Sequence, residues 1–193
     1  MAARSFSRYL SWLCAGIACL LMAACATPGR IAGSEGPAFE RTGRFALSVS
    51  YSDGRQDAVQ GGFAWRDDGR ALSLDLANPL GSTLARVQVV PGHATLVRPD
   101  GSREQAEGPD ALVELVLGSP IPVSGLRDWL RGRAGEAPAS NLARNAAGQI
   151  TGFEQNGWRV ALSGYDALGP RVAQMNRDDA GRRVRVRLAI DAQ

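Results

Sequence analysis

The side chains able to do chemistry in this 193-residue chain are few, and their spacing argues against a reaction centre. His93 is the single histidine; it follows the Pro91-Gly92 turn with no nucleophile near it in sequence, and it reads as a solvated turn residue rather than a base or ligand. The cysteines are Cys14, Cys19 and Cys25, and with one histidine they make no metal set, so neither metal nor cofactor is expected. Asp67-Asp68 and Asp178-Asp179 are adjacent carboxylates, but each pair sits beside a glycine, and neighbours in sequence do not face a common substrate. Both pairs read as hairpin residues. No phosphate loop or dinucleotide fingerprint occurs. Arg183, Arg185 and Arg187 recur on one strand face and could bind phosphates, although a solvated outer face is the simpler reading. The expectation is a protein that is not an enzyme and whose working surface is apolar.

One apolar residue stands where a polar one is usual. In Asn78-Pro79-Leu80-Gly81-Ser82, Pro79 suits the second position of a tight turn and Gly81 tolerates positive φ, so Leu80 is carried to the tip of a loop. The flanking Leu72, Leu74 and Leu76 on one side and Val87 and Val89 on the other alternate like strands. Leaving a leucine in water forgoes roughly 1.5–3 kcal/mol of burial. Leu80 is therefore either folded back on the body or placed to meet something apolar.

The first 24 residues are expected to be a secretory signal. Arg4 and Arg8 precede an uncharged apolar core over residues 10–24, too short for a comfortable bilayer span. The core ends in Leu21-Met22-Ala23-Ala24-Cys25, which resembles a bacterial lipobox. That resemblance implies cleavage before Cys25, lipid attachment at Cys25 and, since Ala26 is not acidic, delivery to the outer membrane. Removing the signal takes Cys14 and Cys19 with it, so the mature chain can make no internal disulfide. Several acyl chains, at about 0.8 kcal/mol per buried methylene, would hold the anchor permanently. Residues 25–37, with Pro28, Gly29, Gly33, Ser34, Gly36 and Pro37, form the lipidated N-terminus and a flexible tether.

Residues 38–193 are long enough for one domain with a substantial core. The chain carries 22 Lys+Arg against 19 Asp+Glu; without Arg4 and Arg8 the balance is near +1, which does not favour nucleic acid. Strands are expected over residues 43–51, 58–66, 71–77, 83–90, 94–98, 148–155, 157–163, 171–175 and 182–190, joined by Asp-Gly, Pro-Gly and Asn-Gly turns. Two short helices interrupt them. The first, over residues 111–117, presents Leu112, Leu115 and Val116 and stops at Gly118; the second is capped by Ser124 and presents Leu126, Trp129 and Leu130. Neither is long enough to stand alone, so both must lie on the sheet and cover its concave face. The sheet supplies Phe45, Phe63, Trp65 and Trp158, which with Leu126, Trp129 and Leu130 either line an apolar cavity or form a dry core.

Taken in order, Thr42-Gly43-Arg44-Phe45, Gly62-Phe63-Ala64-Trp65, the 78–83 loop, Pro120-Ile121-Pro122, the 126–132 segment, Gln155-Asn156-Gly157-Trp158 and Gly164-Tyr165 resemble the LolB family of the lipoprotein-localisation proteins. Members of that family commonly carry a tryptophan near the end, where this chain finishes Ile190-Asp191-Ala192-Gln193. The resemblance implies a mainly β fold: a strongly curved antiparallel sheet, or half-open barrel, lidded by short helices and enclosing an apolar cavity for acyl chains. It also implies a monomer anchored in the outer membrane and facing the periplasm. Such a protein accepts client lipoproteins from the carrier LolA and inserts them among outer-membrane phospholipids, with the loop of Asn78, Pro79, Leu80 and Gly81 acting at the membrane. Two other readings stay open, a LolA-like periplasmic carrier and an outer-membrane assembly scaffold that binds proteins through its sheet.

Overall fold

The computed structural model describes residues 38–117, 121–179 and 181–192. The expected signal, Cys25 and the tether lie outside them. Eleven strands and two helices follow one another: β1 (Phe39–Tyr51), β2 (Gln56–Asp67), β3 (Leu72–Ala77), β4 (Thr83–Val90), β5 (His93–Val97), β6 (Arg103–Ala106), α1 (Pro109–Leu117), α2 (Val123–Trp129), β7 (Ser140–Arg144), β8 (Ile150–Gln155), β9 (Trp158–Ser163), β10 (Val172–Asp179) and β11 (Arg182–Ile190). All strands join one antiparallel sheet in the order β6-β5-β4-β3-β2-β1-β11-β10-β9-β8-β7.

The first and last strands therefore meet in the middle, with Gly43 opposite Ile190 and Tyr51 opposite Arg182. Two meanders run outward from that seam, and the helical segment connects their outer edges. The seam is closed without a terminal tryptophan: Ile190 is buried, and the Asp191 N–H donates to the Thr42 carbonyl at 2.9 Å while Thr42 Oγ1 donates to the Asp191 carboxylate.

The period of two sorts the strands into faces. Phe39, Phe63, Trp65, Leu72, Val87, Val89, Leu162, Met175, Val184 and Ile190 lie on the inner face and are buried; Arg183, Arg185 and Arg187 lie on the outer face in water. β11 is central, not an edge, so these arginines occupy the middle of that outer surface. The true edges, β6 and β7, were not expected. Ser140–Arg144 is exposed along its whole length and its pairing with β8 is irregular. Such strands form by backbone pairing to an existing sheet, and their sequences carry no apolar alternation to announce them.

The helices differ from expectation in two details. Among the described side chains of α1, Leu112 and Val113 are buried and Leu115 is 62% exposed, while the Val116 side chain and the expected stop at Gly118 lie outside the described residues. At 3.6 residues per turn Leu115 lies about 60° from Leu112 on the side away from Val113, and α1 packs on the sheet mainly at β5 and β6. Ser124 does not cap α2. Instead Asp110, in the first turn of α1, accepts the Ser124 backbone N–H at 2.8 Å and the Ser124 hydroxyl at 2.5 Å. One carboxylate thus favours the N-terminus of its own helix and satisfies a terminal amide of the other.

Candidate functional site: a fixed leucine at the mouth of an apolar face

Leu80 is the most exposed large apolar residue among those described, at 92%. Its loop is nevertheless tightly built. The Asn78 N–H donates to the Ser82 carbonyl at 2.8 Å, and the Gly81 N–H donates back to the Asn78 carbonyl at 2.9 Å. Asn78 Oδ1 accepts the Leu80 and Ser82 amides at 2.9 and 3.0 Å, and Gly81 takes the φ of 88° that the turn requires. Beneath the loop, the β3–β4 register shifts at Leu76/Ala77, and Gly61 of β2 lies so close that an added Cβ would stand 1.9 Å from the Ala77 carbonyl oxygen. The leucine does not fold back on the body; a rigid turn holds it out.

The seven residues expected to line a cavity come together on the inner face. Phe63, Trp65, Leu126, Trp129, Leu130 and Trp158 are buried and Phe45 is half-buried, all in one apolar cluster. Trp129 fixes α2 in place: its Nε1–H donates to Gln155 Oε1 at 2.9 Å and its ring meets Phe153 edge-on at 5.7 Å. Gln155 in turn donates to the Ala137 carbonyl. In this conformation the helices fill that part of the interior, and of the seven residues only Trp158 borders one of the four open pockets described, of about 340 to 500 Å³.

Burial on the inner face is graded along the strands. On β1 it falls from Phe39 and Arg41 to the half-buried Phe45, Leu47 and Val49; on β2 it falls from Trp65 to Val59, which is 42% exposed. On β3 it falls from Leu72 to Leu74 and Leu76, and on β4 from Val89 and Val87 to Ala85. In each case the exposed end is the one bearing the 52–55 turn and the Leu80 loop. An apolar track runs from beneath α2 to the strand ends beside Leu80.

What locks α2 over the closed end is ionic, and sequence reasoning missed it. Asp67, expected to be a hairpin residue, is the last residue of β2 and fully buried. It accepts Arg127 of α2 at 2.5 and 3.0 Å and Arg131 at 3.3 Å, besides the Gly69 amide at 2.9 Å. Arg131 also lies 4.1 Å over the Phe39 ring. Burial pushes the Asp67 carboxyl up, but the Arg127 hydrogen bonds, the Gly69 amide and the two guanidinium charges outweigh it, and its pKa lies below the usual carboxylate value. Its neighbour Asp68 does serve the turn, accepting the Arg70 and Ala71 amides. Asp178 and Asp179 end β10, where Asp178 binds Arg183 and Asp179 binds Arg177. A second tie lies at the same closed end: Arg41, fully buried, pairs with Asp166 through two bonds and donates to the Pro170 carbonyl. The one local signal for Asp67 was that it continues the period-two positions of Phe63 and Trp65, while its partner Arg127 lies 60 residues away.

Among the described residues two buried polar atoms lack a partner, Arg41 Nε and Trp65 Nε1. The second is an indole donor in the apolar interior, where an unmade hydrogen bond costs about 1–3 kcal/mol. His93 is exposed beside Thr95 and joins none of these groups.

Comparison with known proteins shows which family the sequence is similar to. The family model described as "Outer membrane lipoprotein LolB" matches residues 37–192. An outer-membrane lipoprotein LolB of Bordetella petrii is 56% identical over 185 residues, 95% of this chain and 92% of its own length. One of Cupriavidus taiwanensis is 40% identical over 201 aligned positions, 97% of this chain and 98% of its own. A crystal structure of a LolA superfamily protein from Nitrosomonas europaea aligns over 79% of this chain and 84% of its own, at 9% identity and a TM-score of 0.44.

Proposed function

The chain belongs to the LolB family of outer-membrane lipoproteins, and on that premise we propose that it takes acylated lipoproteins from the periplasmic carrier LolA and releases their acyl chains into the outer membrane. It is a receptor in lipoprotein localisation, lipid-anchored at the outer membrane, and the attachment point is Cys25. The mechanism is a sequence of apolar hosts and involves no bond making. A chain of about a dozen methylenes resists water by roughly 10 kcal/mol, so it must pass from one sheltered surface to the next.

The observation that carries this reading is the graded inner face. Its half-exposed residues Phe45, Leu47, Val49, Leu74, Leu76 and Ala85 offer a first seat at the mouth, without any movement of α2. Deeper entry displaces α2 from Phe63, Trp65 and Trp158, and the unpartnered Trp65 Nε1–H is then available to an ester carbonyl of the lipid. The Asp67–Arg127 pair brings the helix back. Leu80, at the same end of the sheet as the open seat, enters the bilayer and sets the chains leaving the seat beside hydrocarbon.

Transfer of a radiolabelled lipoprotein from its carrier to this protein, and then to liposomes, tests the proposal. Label is expected first on the protein and then in lipid, without nucleotide. Label that remains on the carrier in the presence of this protein would overturn it.

A further inference from the structure

We propose that the outer face of the sheet carries a binding site for the phosphate of an anionic phospholipid headgroup, in the groove between Arg185, Arg187 and Gln60 beside the Leu80 loop. The proposal rests on the reading that the protein works against a bilayer, and adds the surface that orients it there.

The groove, of about 500 Å³, is created by the sequence of two rows across the sheet. One row runs Gln174, Arg187, Ala46, Gln60; the next runs Asn176, Arg185, Ser48, Ala58. Ala46, Ser48 and Ala58 are small, so they form a floor between the arginines on one side and Gln60 on the other. Residues two apart on a strand lie about 7 Å from one another on one face, close enough for two guanidinium groups to converge on one phosphate.

The charges on this face are unusual in their partners. Two nearby exposed arginines each hold a carboxylate, Arg183 with Asp178 at 2.5 Å and Arg159 with Glu154 at 3.4 Å. Arg185, Arg187 and the neighbouring Arg44 have no ion pair or hydrogen bond among the described residues. On the outer face of β1, β2, β10 and β11 the acids are Glu40, at the far end, and Asp178, already engaged by Arg183. Unopposed guanidinium groups with amide and hydroxyl donors around a small-residue floor fit a phosphodiester, which offers several acceptor oxygens and a single negative charge.

A lipid, rather than a soluble phosphate, follows from what adjoins the groove. The last β2–β3 pair is Gly62 with Ala77, so Gln60 stands next to the start of the Leu80 loop. Val59 and Leu84, 42% and 38% exposed, flank the same corner. An apolar finger beside a cationic groove matches the layering of a membrane surface, with hydrocarbon below and phosphate above.

The test uses the mature chain with Cys25→Ala, so that binding is not dominated by the acyl anchor, on vesicles of phosphatidylethanolamine with and without phosphatidylglycerol. Phosphatidylglycerol is expected to strengthen binding of the parent, and Arg185→Gln/Arg187→Gln to remove about 30-fold of that gain, with unchanged melting temperature, unchanged binding to neutral vesicles and normal acceptance of client. Arg159→Gln, whose side chain is already paired, should have little effect. Equal binding of the double variant and the parent to phosphatidylglycerol vesicles would overturn the proposal. So would displacement of the parent by millimolar glycerol phosphate, which would make this a soluble-phosphate site. Failure of the parent to accept client would instead count against the proposed function, since client acceptance does not involve the groove.

Discussion

Replacing Leu80 by alanine should separate membrane engagement from folding. The side chain is 92% exposed, so its removal takes almost nothing from the folded state, and stability should stay within about 0.5 kcal/mol of the parent. In a bilayer the same change forfeits the transfer of three carbon groups at roughly 0.8 kcal/mol each, about 2 kcal/mol, or about 30-fold in partitioning. The turn should survive, because the bonds that shape it run through the backbone and Asn78 rather than through the leucine. The measurement is co-sedimentation of unacylated protein with vesicles, alongside urea unfolding and uptake of client from its carrier. Vesicle binding should fall about 30-fold with stability and uptake intact, and Leu80→Glu should fall further. Asn78→Ala, which keeps the leucine but frees two amides, should lose only a few-fold. Vesicle binding by Leu80→Ala within twofold of the parent would refute the reasoning, and so would a stability loss above about 1 kcal/mol, which would mean that the leucine is packed.

Other expectations concern the lock and the anchor. Arg127→Met leaves Asp67 buried with Arg131 and the Gly69 amide as its remaining partners, and should cost about 3 kcal/mol in urea unfolding; adding Asp67→Asn should recover part of the loss. The same single variant should admit a fluorescent fatty-acid probe faster, if α2 is the lid. Acid should act in the same direction. The Asp67 carboxyl is held below its ordinary value of about 4, so its contribution is complete above that pH and is lost as pH falls through the depressed folded value. Tryptophan fluorescence should therefore report no loosening of α2 between neutral pH and about pH 4, with loosening confined to more acid solution, and loosening complete above pH 4 would contradict it. Cys25→Ala should move the mature protein from the membrane to the soluble fraction; continued sedimentation with membranes would show that Cys25 is not the anchor.

The sheet was legible because its strands are half-buried. Leu72, Leu74 and Leu76, or Val184, Val186 and Leu188, alternate so regularly that the strands could be read directly, whereas which face of each turns inward is set by the packing of the whole sheet. The edges were not legible, since Arg103–Ala106 and Ser140–Arg144 gain their place from hydrogen bonds to neighbours and carry no apolar face. The Leu80 loop could be read locally because Pro79, Asn78 and Gly81 act within five residues. Asp67 could not, because its meaning depends on Arg127, which the fold brings from another element. The same limit applied to the apolar interior. Composition placed Trp65, Trp129 and Trp158 inside, but the gradient from sealed core to open mouth depends on how far α2 reaches across the strands.

The central claim is that the inner face at the open end receives acyl chains. Cross-linking of a client lipoprotein carrying a photoreactive fatty acid, with the modified residues then mapped, tests it most directly. Label is predicted at Phe45, Leu47, Val49, Leu74, Leu76 or Ala85. Label confined to the outer face, or to none of the inner-face residues, would contradict the account.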